Sequence, residues 1–313
     1  MTESQRSNVR HETVSADRAG QRLDNFLISL LGGVPRSLVY RIIRTGQVRV
    51  NSSRSKPMKK LKAGDVVRVP PVKLEADSPK RLPDGLIGQV ERSIIERNDD
   101  FAILDKPAGL AVHGGTGLDY GLMDAIQAIH PDWRPVHRLD RPTSGLLVMA
   151  CNHQALRELQ QTFIQRQVEK RYLAVLDGVV PEPLMRVDAP LKKIRDGGGQ
   201  HRVIAAEGGQ SALSKFRLLE RIGDYSYVEV TIETGRTHQI RAHAASRGLP
   251  LLGDELYNPN TDQKDGAPEG VNRLFLHAHY LRLSWPEDSL YSSPLPDELS
   301  LTLAKLRQAS PRR

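Results

Sequence analysis

The sequence predicts an α+β protein in two parts: a small basic module, then a larger domain with a mixed, mostly antiparallel β-sheet and flanking helices. The 313 residues leave room for two domains of roughly 150 residues each. Residues 1–80 hold 16 Lys and Arg against 7 Asp and Glu, whereas residues 81–313 hold 29 against 30. From residue 93 onward, short runs with period-two alternation recur between a few helical stretches.

The composition excludes several classes of protein. No apolar run approaches the roughly 18 residues of a membrane span, and the polar first 18 residues lack the apolar core of a secretory signal. Cys151 is the single cysteine, which excludes a disulfide framework and a cysteine-cluster zinc site. We therefore expect a cytoplasmic protein with no membrane partner.

Two helices open the basic module. Residues 1–19 are polar and predict a disordered tail. From Arg22, apolar residues recur at three- and four-residue steps, which predicts a helix that Gly32 ends. A second helix carries three arginines largely outside its apolar stripe, on a surface that a polyanion could contact: Arg36, Arg41 and Arg44.

Two strands complete the module, which is expected over residues 20–83 together with its linker. Residues 47–51 and 66–69 alternate as half-buried strands do. The loop between them is basic and includes Lys59 and Lys60. Because a rigid basic helix with such a loop can neutralise phosphates, RNA docking is favoured over a merely solvated basic face.

Proline marks the boundary to the second domain, which is expected over residues 90–313. Residues 70–92 carry four of the chain's 20 prolines and predict a semi-rigid linker. The predicted strands cover residues 93–96, 101–105, 144–150, 172–177, 213–220, 225–233 and 274–284. The predicted helices cover residues 121–129, 155–165, 237–247 and 296–308.

A dense cluster of titratable residues precedes one of these strands. His137, Arg138, Asp140 and Arg141 fall within five positions of HRLDRPTSG. A strand that enters a core does not need such a cluster, so the pattern favours a loop that presents Asp140 to a cleft. A surface salt-bridge loop is the alternative.

Two further stretches combine a break in secondary structure with polar chemistry. TGRTHQIRAH ends a predicted strand and starts a helix, bringing His238, Gln239 and Arg241 near the helix start. An arginine suits a buried carboxylate partner because its charge cannot be titrated away. KRYLAV opens a strand with Tyr172, whose ring can stack on a base, although packing in the core is the usual role of a strand tyrosine.

The first module resembles an S4 RNA-binding domain of the αL type, on the runs RLDNFL, SLVYRIIRTGQVRVN and LKAGDVVRV. That resemblance implies docking on structured RNA, with Arg36, Arg41, Arg44, Lys59 and Lys60 as RNA-binding residues. HRLDRPTSGLLV, KRYLAV and GRTHQIRAH resemble the three signature motifs of the RluA-type pseudouridine synthases. LDKPAGLAVHGG and NRLFLHAHYLRLSWP are similar to that family's flanking blocks.

The second resemblance implies a pseudouridine synthase fold and an isomerase that converts uridine to pseudouridine without a cofactor. The sequences GLAVHGGTGLDYG and NRLFLHA most resemble those of family members that modify large-subunit ribosomal RNA. The implied partner is therefore 23S ribosomal RNA, with transfer RNA as the alternative. A monomer with no protein partner is the family expectation.

The resemblance also implies a role for each matched residue. Asp140 matches the catalytic aspartate, which either attacks C1′ of the nucleotide or takes a proton from C2′. Tyr172 matches the tyrosine that stacks on the uracil, and Arg241 the arginine beside the aspartate. Arg138 matches the residue that fills the gap left by the flipped nucleotide. His137, Thr237 and Gln239 complete the expected RNA-binding set.

Two other classes of function stay open at this point. An RNA-binding assembly factor without catalysis would keep the fold, but Asp140, Tyr172 and Arg241 are all present. A metal-dependent hydrolase has its support in His238, His243, His277 and His279, whose roles, like that of His113, the sequence leaves undetermined. H-E-x-x-H is absent, and no supporting carboxylate lies at a usable spacing, so no metal is expected.

Overall fold

A computed structural model describes residues 9–32, 34, 36–72, 82–114, 120–195, 201–258, 271 and 273–309. The chain divides into two compact units, Met1–Arg81 and Leu82–Arg313. In the described part of the chain, no helix is long and apolar enough to cross a membrane. The helices are α1 (Leu23–Leu31), α2 (Arg36–Arg44), α3 (Leu86–Arg92), α4 (Leu122–Ile129), α5 (His153–Ile164), α6 (Gln239–Ser246) and α7 (Asp297–Ala309).

The first unit packs α1 and α2 with a three-stranded antiparallel sheet. Its strands are β1 (Arg10–Thr13), β2 (Arg49–Val50) and β3 (Val66–Val69), in the order β1-β3-β2. The core is apolar, with Leu23, Leu27 and Val39 completely buried. The buried carboxylate of Asp24 joins the two helices, because it accepts a hydrogen bond from the hydroxyl of Tyr40 at 2.8 Å.

Strand β1 corrects the second half of the disordered tail expected over residues 1–19, while residues 1–8 lie outside the described residues. Arg10 lies opposite Val69 in an antiparallel ladder with β3. Val14, the residue directly after the strand, is buried and donates its backbone N–H to the carbonyl of Asp65 at 2.8 Å. The strand has the sequence RHET. Four polar residues carry no hydrophobic alternation, so periodicity could not reveal the strand.

The second unit is built on a ten-stranded mixed sheet, and the predicted α+β class is confirmed. Its main strand order is β4-β5-β7-β14-β8-β13-β12-β9, with β15 beside β14 and β6 beside β7. The β7–β14 pair is parallel, and the other pairs described in this sheet are antiparallel. Its strands are β4 (Ile94–Arg97), β5 (Phe101–Lys106), β6 (Arg134–Pro135), β7 (Ser144–Ala150), β8 (Glu169–Asp177), β9 (Leu184–Asp188), β12 (Leu213–Ile222), β13 (Tyr225–Ile232), β14 (Leu276–Leu283) and β15 (Ser289–Ser292).

Both faces of this sheet are covered. One face packs against α3, α4 and α6, and the other against α5 and α7. Every residue of β7 is buried, which explains its continuous apolar sequence. A separate antiparallel hairpin of β10 (Leu191–Arg195) and β11 (His201–Ala205) packs beside α6.

The largest difference from the expected elements lies in the predicted linker over residues 70–92. Its last part forms α3, whose Leu86 and Val90 are buried against the sheet. Prolines and charges dominate this stretch, so composition hid a seven-residue helix. The strands β6, β9, β10, β11 and β15 were not predicted either, because they are short and partly polar.

Gly145 allows the loop before β7 to enter the centre of the sheet. Its φ is +112°, a conformation that favours glycine. A Cβ atom at this position would collide with the backbone of Ala278 on β14. The glycine of TSG therefore permits β7 and β14 to approach closely and fixes where the preceding loop, which carries Asp140, leaves the sheet.

Candidate active site

A cleft opens in the second unit, where the loop before β7, strand β8 and the start of α6 meet. The loop contributes Asp140, β8 contributes Tyr172, and α6 contributes Arg241. The cleft is lined by Arg138, Leu139, Asp140, Thr143, Tyr172, Ile232, Gly235, Arg236, Thr237, His238, Gln239, Ile240, Arg241 and Leu276. The structure thus brings together the three residues predicted to be catalytic.

Asp140 and Arg241 face each other across this cleft. One terminal nitrogen of Arg241 lies 3.5 Å from Oδ2 of Asp140, and the two side chains are 7% and 15% exposed. The guanidinium also donates from Nε and its other terminal nitrogen to Asp254, at 2.8 and 2.7 Å. Asp254 is buried. The two-bond contact with Asp254 therefore fixes the plane of the arginine and directs its remaining nitrogen at Asp140.

His238 adopts the left-handed conformation directly before α6, with φ of +52°. Its Nδ1 lies 3.2 Å from the hydroxyl of Tyr257, and its Nε2 lies 3.9 Å from Oδ2 of Asp140. The Tyr257 hydroxyl donates to the carbonyl of Val203 and accepts from its N–H. Because the Tyr257 hydroxyl already donates its proton to Val203, we infer that Nδ1 of His238 carries a proton and donates it to the hydroxyl oxygen of Tyr257. The unprotonated Nε2 then faces Asp140, and burial lowers the pKa of His238.

Tyr172 forms an apolar wall of the cleft. It is 7% exposed and pairs with Val230 on β13 and with Ala278 on β14, in the middle of the sheet. Burial, together with the charge of Asp140, raises its pKa well above the ordinary value. The ring therefore keeps its phenol proton at neutral pH, and it lines the cleft.

The completely buried Lys106 holds the loop that carries Asp140. Its ammonium donates to the carbonyls of Pro107 and Leu110, both at 2.8 Å, and to that of Arg141 at 3.4 Å. Burial lowers the pKa of Lys106 to about 7, and the charge of Asp140 opposes that shift. Lys106 thus connects the end of β5 to the residue after Asp140.

The remaining residues predicted to bind RNA lie in different settings. Arg138 is exposed, and Thr237 lies half-buried in the cleft wall. Nε2 of His137 accepts the N–H of Val148 at 3.1 Å, and its ring stacks on Phe163 with centroids 4.9 Å apart. Burial and the charge of nearby Lys170 lower the pKa of His137 to about 3. This histidine is neutral and anchors the loop to β7.

The amide group of Gln239, another residue predicted to bind RNA, makes hydrogen bonds within the protein. Its Oε1 accepts from the hydroxyl of Thr234 and from the N–H of Arg236, at 2.7 and 3.1 Å. Its Nε2 donates to the carbonyl of Leu213 and the hydroxyl of Ser214, at 2.9 and 3.1 Å. With four side-chain hydrogen bonds made internally, Gln239 shapes the turn before α6.

The histidines that supported a hydrolase are held by different groups of the protein. His243 and His277 each contact a serine hydroxyl at 2.9 Å, those of Ser214 and Ser144. His279 lies 3.2 Å from Glu229. Among the residues described by the structure, no three His, Cys, Asp or Glu side chains form a group that could hold a metal ion.

The first unit has a basic groove of its own. Arg41 and Arg44 from α2 line it, with Arg54 and Lys56 from the following loop and the exposed ring of Tyr40. Of the other basic residues predicted there, Lys59 and Lys60 are exposed outside the groove lining, and the Arg36 side chain is outside the described residues.

Sequence reasoning missed residues that support the site from a distance. Asp254 and Tyr257 follow a glycine turn after α6, and Lys106 precedes a proline. No periodicity indicates that Asp254 reaches Arg241. The sequence did mark Lys106 as unusual, because a lysine at the end of an apolar strand is rarely buried unless its charge has partners in the fold.

The fold and this constellation define an RNA-modifying isomerase. Residues 100–246 match the RNA pseudouridylate synthase family, and residues 21–67 match the S4 domain. The chain belongs to the pseudouridine synthase family. Among similar curated proteins are the ribosomal large subunit pseudouridine synthases C of Haemophilus ducreyi, 40% identical over 96% of this chain and 97% of that one, and of Yersinia pestis, 40% identical over 95% of each.

Solved structures agree with this assignment. Human RNA Pseudouridylate Synthase Domain Containing 1 is 26% identical, covering 76% of this chain and 100% of that chain with a TM-score of 0.55. Human RNA Pseudouridylate Synthase Domain Containing 4 shares the fold at 24% identity, with a TM-score of 0.59 over 71% of this chain and 95% of that chain. The predicted pseudouridine synthase fold is confirmed.

Proposed function

We propose that this protein isomerises uridines of large-subunit ribosomal RNA, with Asp140 as the reacting group. The observation that carries the proposal is the 3.5 Å approach of Arg241 to Asp140 beside the ring of Tyr172, in a cleft open to solvent. The guanidinium places a positive charge beside the carboxylate that the chemistry uses.

The reaction breaks the N1–C1′ bond of uridine and joins C5 to C1′, with no net oxidation and no net hydrolysis. Asp140 acts on the ribose, either as a nucleophile at C1′ or as the base that accepts the C2′ proton. Both routes place an ionised carboxylate at the same point of the cleft. The protonated Tyr172 stacks on the uracil, and Arg138 at the exposed edge fills the gap left by the extruded base.

The choice of ribosomal RNA rests on the named relatives and on the basic first unit. The relatives cover nearly the full length of the chain. Arg41, Arg44, Arg54 and Lys56 supply positive charge in one groove, which suits phosphate contacts that position an RNA without reading its sequence.

Because the substrate is ribosomal RNA, we place the protein in the cytoplasm. We further propose a monomer without a protein partner, since the exposed large apolar side chains of the described residues lie on separate elements.

Tritium release tests the proposal directly. A 23S ribosomal RNA transcript labelled at C5 of uridine loses tritium when C5 bonds to C1′. We expect release by the wild type in the presence of a chelator and none by Asp140→Asn. Asp288→Asn, which removes an exposed carboxylate paired with Arg282, should release tritium at the wild-type rate.

Three results would contradict the proposal. Release that persists in Asp140→Asn removes that residue from the reaction, and release abolished by the chelator favours metal-dependent chemistry. Release from a transfer RNA transcript but not from 23S RNA corrects the substrate.

A further inference from the structure

A second groove lies directly beside the catalytic cleft. The two share Arg138, Tyr172 and Arg236 in their walls. The far wall comes from the end of α5 and the start of β8, with Ile164 and Lys170. This second groove, here called the flanking groove, is thus within reach of a nucleotide next to one held in the cleft.

Lys170 is the unusual residue of the flanking groove. It is only 7% exposed. Its ammonium lies over the ring of Phe163, 5.3 Å from the centroid. Among the described residues, no carboxylate lies within ion-pair distance of it, although burying a charge without an opposite charge costs free energy. A lysine with a largely buried side chain and no carboxylate partner, on the wall of a groove, suits an anion from outside the protein.

The surroundings of Lys170 show which anion fits. Arg138, Arg166 and Arg236 also line the flanking groove. Glu233 is the carboxylate residue among those that line the flanking groove, and it already forms an ion pair with Lys215 at 2.9 Å and lies 3.8 Å from Arg166. The groove therefore has an excess of positive charge.

An apolar surface lies beside these cations. Ile164 is 73% exposed at the end of α5, next to the half-buried ring of Phe163. A cation beside an apolar surface matches a nucleotide, which carries a phosphate and a flat base.

We propose that the flanking groove binds the phosphodiester next to the extruded uridine, with Lys170 as the direct contact and the exposed Ile164 beneath the neighbouring base. This inference rests on the proposed function, because it requires an RNA strand in the cleft. It adds a subsite outside the reacting group: Lys170 contacts the backbone and holds the strand in position.

Salt dependence of RNA binding tests this subsite. Lys170→Met removes the charge but keeps the apolar length of the side chain, Lys170→Arg keeps the charge, and Lys305→Met removes an exposed lysine of α7. With the 23S transcript, we expect Lys170→Met to weaken binding about ten-fold. We also expect it to lower the slope of log affinity against log salt by about 0.7, the value for one phosphate contact on a single strand. Lys170→Arg and Lys305→Met should keep the wild-type slope.

Two further readouts separate binding from a structural role. The thermal unfolding midpoint of Lys170→Met should equal or exceed that of the wild type, because a buried unpaired charge has been removed. Its single-turnover rate at saturating enzyme should stay within about three-fold of the wild type, since a contact made equally in the ground and transition states changes KM and not kcat.

An unchanged salt slope in Lys170→Met would overturn the subsite, as would a lowered unfolding midpoint with unchanged affinity. These results are distinct from a failure of the proposed function. A wild type that binds the transcript but releases no tritium refutes the isomerase, whereas a wild type that releases tritium while Lys170→Met keeps the full slope refutes only the subsite.

Discussion

Arg241 is bound to Asp254 more closely than to Asp140. It gives Asp254 two hydrogen bonds, at 2.8 and 2.7 Å, and approaches Asp140 only to 3.5 Å. Asp254 therefore holds the cation in place, while Asp140 keeps oxygen atoms free for a substrate. A carboxylate that was itself fully hydrogen-bonded to the arginine would be a poorer nucleophile or base.

Replacement of Asp254 tests this division of roles. Asp254→Asn leaves the buried guanidinium without its charge partner, so we expect the free energy of unfolding to fall by about 3 kcal/mol. Because Arg241 loses its fixed plane, the rate of tritium release should also fall roughly 100-fold. Chemical denaturation and the single-turnover rate measure the two effects. Asp288→Asn is the matched exposed control, and an Asp254→Asn protein with wild-type turnover would disprove the positioning role.

Gly145 should be intolerant of any side chain. Gly145→Ala forces a Cβ atom into the backbone of Ala278 at a φ of +112°, and we expect a loss of about 3 kcal/mol of stability. Gly235→Ala has an ordinary φ and nothing within 4 Å of the added Cβ, so its stability should stay within about 1 kcal/mol of the wild type. Equal unfolding midpoints for the two variants would show that β7 and β14 can separate without cost.

RNA affinity should fall at alkaline pH. Burial lowers the pKa of Lys170 to about 8, so the charge that attracts the phosphate is present below that pH and is lost as the pH rises through it. The ionisable groups that line the same groove are His137, Arg138, Arg166, Tyr172, Glu233 and Arg236.

The measurement is transcript affinity from pH 7 to pH 10, in the wild type and in Lys170→Arg. In that window His137 stays neutral and Tyr172 keeps its proton. We expect the wild-type affinity to approach that of Lys170→Met at the alkaline end, whereas Lys170→Arg keeps its affinity. Lys106, whose pKa is lowered to about 7, also changes charge near this pH window. Because the wild type and Lys170→Arg both contain it, its effect on RNA affinity cancels when the two are compared. Parallel pH profiles for the two proteins would exclude Lys170 from phosphate binding.

The groove of the first unit should contribute affinity and no chemistry. The double variant Arg41→Gln, Arg44→Gln removes two exposed cations, so its salt slope should be smaller by about 1.4. At saturating enzyme its single-turnover rate should match the wild type. The control, Arg92→Gln with Lys305→Gln, removes two exposed cations that line neither groove. A slower rate at saturation, or an equal effect in the control, would contradict RNA docking by this surface.

The regular elements of the second unit follow from its sequence because their hydrophobic periods are strong. The seven predicted strands and four predicted helices are present, with ends shifted by a few residues. The strand RHET and the helix within the linker could not be predicted from the sequence, because tertiary packing determines their structure against their local composition. The predicted motif residues Asp140, Tyr172 and Arg241 meet in one cleft.

What the motifs could not supply is the support around them. Asp254 contacts Arg241 from 13 residues further along the chain, and nothing in the spacing indicates which buried carboxylate an arginine selects. The internal hydrogen bonds of Gln239 could not be predicted from its motif either. A polar residue in a signature motif suggests a ligand contact, yet its hydrogen bonds are all used to shape a turn.

Strand β14 lies between β7 and β8 at the centre of the sheet, although it comes late in the chain, at Leu276–Leu283. During synthesis, the segments that carry Asp140 and Tyr172 therefore emerge from the ribosome long before the strand that joins them. We expect the nascent polypeptide to lack an assembled catalytic centre until Leu276–Leu283 has been translated, so the enzyme should not modify RNA before that strand has joined β7 and β8.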